Sequence, residues 1–337
     1  MLQSEFNHVG TMRYQPHESR YARESLQRFM EHIKYLPTTP ISLVGEAVDV
    51  INRAAIPGEY LVEFLPFLHW VPDWMPGAGW KRMAKEWKKI ANEMIEETYM
   101  RAKKSTTTII LTVDICRNEG SGRCQTFNTE EQEQVIKETT ATLYAGTRRG
   151  YDSLGPIHVF LAMLLYPETQ ARAQAELDEV LGRSRLPDFG NDEYELPYVK
   201  AIVLEALRWM PVTPLGSSHK EEYKGYRIPA GSIVFANTWS ILHDAAVFTD
   251  PEVFKPERWL HKVCPGRHLA VSSLWIAAAP ILSVFNITEE VGYDGKEVEP
   301  RMEYNSALIC HPKQFKCSIK PRFPEAEDLI RASINEY

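Results

Sequence analysis

The sequence predicts a mainly α-helical fold with a small β region. Proline at the first position, followed by apolar residues at helical spacing, indicates one helix over Pro167–Leu181 and another that begins at Pro197 and stops at Pro211. An apolar run with the period of a buried helix also follows Cys264. The strand signal is a short hairpin, in which 226–228 and 233–236 flank a turn at 229–231.

Composition narrows the class of protein. The chain has 337 residues, enough for one large core or two smaller ones, and its 44% hydrophobic and 25% charged residues are ordinary for a globular protein. A net charge of −7 argues against nucleic acid as a partner, because binding phosphates needs a basic surface. No signal peptide is visible in this sequence, and we expect no membrane span, because no apolar stretch reaches the required length of roughly 20 residues.

The five cysteines are odd in number and widely spread, which predicts a reducing compartment rather than a disulfide framework. Cys264 differs from the rest because Pro265-Gly266 places it on a turn before a helix N-terminus, where free N–H groups and the helix dipole favour a thiolate. Such a thiolate can ligate a metal or attack an electrophile. The alternative is a small buried cysteine. With His268 alone, Cys264 lacks the four ligands of a structural zinc site.

The first third of the chain alternates helical and proline-rich segments. Helical patterns cover 1–36, 41–55 and the charged run 81–104. Between them, 60–80 mixes aromatic residues with prolines. This segment is either a loop packed on the body by its aromatic rings or a surface that dips into a membrane interface, where tryptophan is favoured. The large apolar residues are Phe64, Phe67, Trp70, Trp74, Met75 and Trp80.

The middle of the chain contains a helix that breaks its own pattern. Asn128 is a predicted N-cap, and the helix it opens runs into 145–150, where two glycines and two arginines indicate a distortion. The buried pattern resumes at 159–166. From 243 to 259 the chain has the composition of a loop, and from 288 onward that of short strands and loops.

Three short motifs, in a fixed order, carry a resemblance to a known family. They are Glu205-Ala-Leu-Arg208, Pro256-Glu-Arg-Trp259 and Cys264-Pro-Gly-Arg-His268. Together they resemble the cytochrome P-450 superfamily of haem-thiolate monooxygenases, and the sequence of residues 239–244 is similar to that of fungal members. The likeness is strong over 127–285 and looser over 1–104. It implies an incomplete cytochrome P-450 fold, shortened and internally deleted, as a single domain over 1–337 with a weakly matching part (1–126) and a core (127–320).

The resemblance assigns roles to individual residues. Cys264 would be the axial haem ligand, since a thiolate donates charge to iron and favours O–O cleavage. Glu205, Arg208 and Arg258 would form the buried charge cluster that shapes the proximal side of the haem. Further cofactor-binding residues would be His219 and Lys262, toward the propionates, and Ala145 and Gly146 on the distal helix. The alternative for His219 is a loop histidine with no role in cofactor binding.

The sequence departs from the family pattern on both sides of the haem. In the family pattern F-x-x-G-x-R-x-C, the aromatic, glycine and arginine places hold Glu257, Leu260 and Lys262, and only the lysine could still pair with a propionate. The segment before Cys264 is also short, so the loop that supports the sulfur is expected to be deleted. This predicts weak haem retention.

The distal acid and alcohol that deliver protons to oxygen are also displaced. The family's pattern Ala-Gly-x-x-Asp/Glu-Thr meets Arg149 and Gly150 in one alignment, and Gly150 and Tyr151 in the other. Asp152 and Ser153 have the right chemistry about one helical turn along, a displacement of roughly 4–5 Å. We take them as stand-ins for the catalytic pair, although hydrogen-bond reach is required for proton transfer.

The resemblance implies a monooxygenase that inserts one oxygen atom from O₂ into a lipophilic small molecule, as in fungal secondary metabolism. Its electrons would come from NADPH through a cytochrome P-450 reductase. The family works on the cytoplasmic side of the endoplasmic reticulum, and this chain, with no visible anchor, is expected to be peripheral or cytoplasmic. The alternatives are a catalytically impaired or inactive haem-binding relic of the same fold, and an unrelated helical scaffold.

Overall fold

A computed structural model describes most of the chain in two compact units. The described residues of the first unit lie between 50 and 137; those of the second are 12, 15–32 and most of 155–334. In full, the described residues are 12, 15–32, 50, 52–54, 56, 58–104, 137, 155–212, 215–217, 221–229, 232, 234–260, 268–291, 296–298, 300, 302–304, 310, 312–313 and 315–334. No helix among them is both long and apolar enough to cross a membrane.

The second unit is mainly helical, as the sequence predicts. Its helices α1, α4, α6 and α8 surround a common core with α3, and α1 contacts both α8 and α9 although more than 200 residues separate them in the chain. The helices are α1 (Gln15–His32), α3 (Gly155–Leu165), α4 (Pro167–Leu181), α5 (Asn191–Glu195), α6 (Pro197–Trp209), α7 (Thr238–Leu242), α8 (His268–Val284) and α9 (Ala326–Ile334); α2 (Gly79–Lys104) belongs to the first unit. Large fully buried side chains include Leu161, Met163, Leu177, Ile202, Trp209, Trp275, Ile276, Leu282 and Phe285.

Local sequence signals explain where α4 and α6 begin and end. Each opens with proline, whose missing N–H would have no helical partner there, and α4 ends at Gly182, which has a φ of +66°. The carboxylate of Glu176 on α4 accepts the free N–H groups of Tyr198 and Val199 in the first turn of α6, at 2.9–3.0 Å. Burial raises the pKa of Glu176, although these N–H groups favour its ionised form. The two helices are therefore fixed end to side.

The strand pairing differs from the predicted hairpin. Strand β3 (Tyr226–Ile228) pairs with β2 (Glu221–Tyr223), and β4 (Val234–Ala236) pairs with the distant β1 (Leu215–Ser217). The tight turn lies at Lys224-Gly225, where φ is +50° and +82°, the positive angles of a two-residue hairpin turn whose twist matches that of the strands. The prediction of 226–236 as one hairpin is therefore wrong. The remaining strands are β5 (Phe285–Thr288) with β8 (Ser318–Pro321), and β6 (Glu290–Val291) with β7 (Glu297–Val298).

The tail contains a helix that the prediction of short strands and loops lacks. Helix α9 has Glu327 and Asp328 in its first turn, where acidic side chains favour a helix. Its buried face carries Ala326 and Ile330, four residues apart, and packs near α1. The acidic first turn and the apolar spacing are sequence features from which this helix could have been predicted.

The first unit consists of α2 and the segment before it. Helix α2 confirms the predicted helix 81–104 and begins two residues earlier. The segment 60–80 forms two 3₁₀ helices, Leu61–Glu63 and Pro66–Trp70, followed by turns. Its inner side is fixed by Tyr60, whose ring meets Trp87 edge-on at 6.1 Å. Four of its aromatic side chains are nevertheless exposed: Phe64, Phe67, Trp70 and Trp74.

Candidate functional site

The predicted pair on α6 is a fully buried ion pair. Glu205 is 0% and Arg208 2% exposed. The guanidinium is bidentate: Nε donates to Oε2 at 2.9 Å and Nη2 donates to Oε1 at 2.8 Å. The i, i+3 spacing places both side chains on one helix face, and a planar guanidinium fits a carboxylate in this way. A lysine at position 208 could not make the same contact.

The 3₁₀ helix Pro256–Trp259 brings more donors to the same carboxylate. Arg258 Nε donates to Glu205 Oε1 at 3.3 Å, and Trp259 Nε1 donates to Oε2 at 2.8 Å. The backbone N–H of Lys255 adds a bond to Oε1 at 2.9 Å. The carboxylate thus accepts five hydrogen bonds, which offset the cost of burying its charge. The sequence did not predict that Trp259 and the Lys255 N–H donate to Glu205. The one signal for it was the indole N–H donor directly after Arg258.

Backbone carbonyls satisfy the outward faces of the two arginines. Arg208 Nη1 donates to Leu242 O at 3.0 Å, and Arg258 Nη2 donates to Asp250 O at 2.7 Å. Arg258 also donates to Thr249 O. The cluster therefore joins α6 to the irregular segment 242–260, which has few elements of its own to hold it in place.

A second, more exposed group fixes the same 3₁₀ helix from the other side. Glu257 Oε1 accepts from Arg172 Nη1 at 2.7 Å and from the Tyr198 hydroxyl at 3.1 Å. The Arg172 guanidinium also lies 4.2 Å from the centre of the Tyr198 ring. Burial, with the nearby Glu257 charge, raises the pKa of Tyr198 to about 12. Glu257, which the family pattern aligns with an aromatic residue, thus lies in this turn and pairs with α4.

The segment that contains Cys264 is flanked by fixed elements. The 3₁₀ helix before it is bound to Glu205, and α8 after it packs against α1, α3, α4 and α6. On α8, Ser273 Oγ donates to the buried Glu18 Oε1 of α1 at 2.8 Å. Cys264 and Lys262 themselves lie outside the described residues, as do the other predicted site residues His219, Ala145, Gly146, Asp152 and Ser153.

Burial disfavours the thiolate form of the two cysteines that the structure describes. Burial raises the pKa of the Cys310 thiol, and it raises that of Cys317 to about 11, with the Glu290 charge adding to the effect. Both thiols are therefore protonated at neutral pH. Within the part of the chain that the structure describes, no group of three His, Cys, Asp or Glu side chains could bind a metal.

Comparison with known proteins identifies the family. Residues 44–319 match the family described as Cytochrome P-450. A cytochrome P-450 monooxygenase of Armillaria gallica is 40% identical over 316 residues, and the aligned region covers 86% of this chain and 61% of that protein. Tryptamine 4-monooxygenase of Psilocybe cyanescens is 34% identical over 305 residues, covering 83% and 60%. The chain thus spans about three fifths of the length of the curated relatives it matches.

Solved structures agree on the fold. A zebrafish cytochrome P-450 with progesterone superposes with a TM-score of 0.65 at 20% identity, covering 95% of this chain and 80% of that one. The chain belongs to the cytochrome P-450 family, and the two curated relatives named above are fungal proteins. The predicted family and mainly α fold are confirmed.

Proposed function

We propose that the chain is a haem-thiolate monooxygenase with Cys264 as its axial ligand. The observation that carries the proposal is the buried Glu205–Arg208–Arg258 cluster, which fixes the segment leading to Cys264 in a chain of this family. Helix α8, which follows Cys264 in the sequence, packs against α1, α3, α4 and α6. A thiolate ligand needs this kind of support, because the position of the sulfur sets that of the metal.

The donor chemistry of the chain fits haem. Cys310 and Cys317 are protonated by burial, whereas Cys264 precedes a helix N-terminus, which favours a thiolate. Lys262 and His219 are the proposed propionate partners, with Ala145 and Gly146 on the distal side. When bound, haem supplies an iron centre at which O₂ is reduced, so that one oxygen atom enters the substrate and the other leaves as water.

The proposal extends to partners and setting. The substrate is a lipophilic small molecule, and NADPH supplies two electrons per turnover through a cytochrome P-450 reductase. We propose that the protein works on the cytoplasmic side of the endoplasmic reticulum, either bound peripherally to the membrane or free in the cytoplasm. Its role would be in fungal secondary metabolism. We also treat the two compact units as parts of one domain over 1–337.

The absorption spectrum of the reduced protein with CO tests the proposal. The full chain is reconstituted with haem, reduced with dithionite and exposed to CO. A thiolate-ligated complex gives the red-shifted Soret band of the family. Haem retained without that band would favour the impaired relic, an alternative motivated by Arg149 and Gly150, which stand where the acid and alcohol belong. No haem uptake at all would contradict the proposal.

Oxygen activation is expected to be poorly coupled to product formation. The proposed relay, Asp152 and Ser153, lies about one helical turn from the family's place for the acid and alcohol, beyond direct hydrogen-bond reach. With a reductase present, most NADPH consumed should therefore appear as peroxide. The measurement compares NADPH, peroxide and product in one reaction. Product formed nearly one-for-one with NADPH would contradict the expected displacement.

We also propose that 60–80 contacts a membrane surface peripherally. Trp70 and Trp74 are 85% and 80% exposed, and Phe64 and Phe67 are exposed beside them. Indole rings are favoured at the level of lipid headgroups, where one side of the ring is apolar and its N–H meets water.

Replacing Trp70 and Trp74 together with serine is expected to weaken binding to lipid vesicles at least tenfold, because two interfacial indoles are lost. Flotation with liposomes compares the full chain with the double variant. The control is Trp239→Ser, a half-exposed tryptophan of α7, which should partition like the wild type. Equal flotation of the Trp70→Ser/Trp74→Ser variant and the wild type would remove the basis for the contact.

A further inference from the structure

Basic side chains of α2 bind the loop that carries the two exposed tryptophans. Lys81 Nζ donates to Val71 O at 2.8 Å, and Arg82 Nη1 donates to Asp73 O at 2.8 Å. Lys85 forms an ion pair with the Asp73 carboxylate. The residues they contact, 71 and 73, are the direct neighbours of Trp70 and Trp74. Three cationic groups are therefore fixed beside two exposed indoles.

Positive charge predominates at the end of α2 next to the loop, and a smaller basic group, Arg101, Lys103 and Lys104, lies at the opposite end of the helix. From Tyr60 to Lys89 the chain has five basic residues (Lys81, Arg82, Lys85, Lys88 and Lys89) and three acidic ones, Glu63, Asp73 and Glu86. The next charged residues along the helix, Glu93, Glu96 and Glu97, are all acidic. The chain as a whole has a charge of −7, so this basic end stands out against an acidic protein.

Asp73 is one of two acids in the loop, with Glu63, and is the one that the basic side chains of α2 contact. The hydrogen bond from Lys85 lowers the pKa of Asp73, so the carboxylate is ionised at neutral pH. Lys88 and Lys89, by contrast, are exposed and lie three and four residues beyond Lys85, on the adjoining helix surface. Their contacts do not hold the loop: Lys89 pairs with Glu93 at 3.6 Å.

We infer that this surface, the indole loop 60–80 together with the basic end of α2 (81–89), selects membranes that contain anionic phospholipids. The inference rests on the proposed membrane contact and adds the chemistry of the lipid. Indoles enter the interface of any bilayer, but lysines beside them gain energy only from negatively charged headgroups. A second copy of the chain would bring the same basic residues face to face, which disfavours self-association through this surface.

Vesicle binding of the full chain tests the inference with two lipid compositions. One is pure phosphatidylcholine, and the other contains about one third phosphatidylserine, both at low and high salt. The wild type is expected to bind the anionic vesicles at least tenfold more tightly at low salt, and high salt should remove most of that difference. Lys88→Gln/Lys89→Gln should lose about tenfold or more on anionic vesicles and nothing on neutral ones, since each lysine near the surface is worth about fivefold.

Two further variants are expected to affect binding to anionic vesicles differently from the lysine variant. Asp73→Asn removes the local negative charge and should tighten binding to anionic vesicles by up to about fivefold, the opposite sign to the lysine variant. Lys313→Gln/Lys316→Gln removes the same amount of charge from exposed lysines of the second unit and should change nothing.

The possible outcomes distinguish a failure of the anionic-lipid inference from a failure of the proposed membrane contact on which it rests. Equal binding of the wild type to both vesicle types would overturn anionic selectivity while the membrane contact stands. Binding to neither would overturn both. An equal loss in the Lys313→Gln/Lys316→Gln control would mean that net charge, and not this surface, is recognised. Self-association in size-exclusion chromatography that the Trp70→Ser/Trp74→Ser variant abolishes would identify a protein interface instead.

Discussion

Replacing Cys264 with serine is expected to abolish the thiolate-type spectrum of the reduced CO complex completely. An alcohol or a water molecule in place of sulfur cannot donate charge to iron in the same way, so the red-shifted Soret band should be lost. The measurement is the CO difference spectrum of the haem-reconstituted variant beside that of the wild type. Survival of the band in Cys264→Ser would show that the ligand is another residue.

The other cysteines provide the controls. Cys310→Ser and Cys317→Ser should leave the spectrum unchanged, because burial keeps both thiols protonated, and Cys116 and Cys124 should be equally replaceable. Loss of the band with any of these, and not with Cys264, would contradict the assignment. Lys262→Glu should keep the thiolate band but weaken haem retention further, since it would turn the cation that we propose for a propionate into an anion.

The helices of the core could be predicted because their signals are local. Pro167, Pro197 and Gly182 mark helix ends by their own backbone restrictions, and the structure has α4 and α6 where those residues require them. The β pairing could not be predicted in the same way. Strand β4 pairs with β1, some twenty residues earlier, and nothing in 229–236 specifies a partner at that distance.

The charge cluster, too, could be predicted in part from local sequence and in part could not. The i, i+3 spacing of Glu205 and Arg208 is a local fact that predicts a pair on one helix face. Its complete burial depends on the chain returning to α6 at 249–260, and so do the bonds from Arg258 and Trp259. Spacing alone is typical of a surface pair worth well under about 1 kcal/mol. The resemblance to the family, rather than the spacing, supplied the third member of the cluster.

The buried cluster makes Glu205→Gln the most destabilising single substitution that we expect in the second unit. The amide can accept fewer of the five hydrogen bonds, its NH₂ group faces donors, and two arginines lose their anion in a site that excludes water. Breaking a buried ion pair costs about 3–5 kcal/mol, a large share of the 5–15 kcal/mol by which proteins of ordinary stability resist unfolding. Chemical denaturation followed by circular dichroism measures the change.

Glu303→Gln is the matched control, because it makes the same chemical change at an exposed ion pair. Glu303 Oε2 accepts from Lys313 Nζ at 3.0 Å, and both side chains are about half exposed. Its loss should cost less than about 1 kcal/mol, since water replaces the partner. If Glu303→Gln is soluble and Glu205→Gln, expressed under the same conditions, is found only as aggregate, that result also agrees with the larger loss of stability expected for Glu205→Gln. If Glu205→Gln instead unfolds within about 1 kcal/mol of the wild type, the cluster does not fix the 3₁₀ helix before Cys264, and the argument from this cluster to the proposed haem ligand fails.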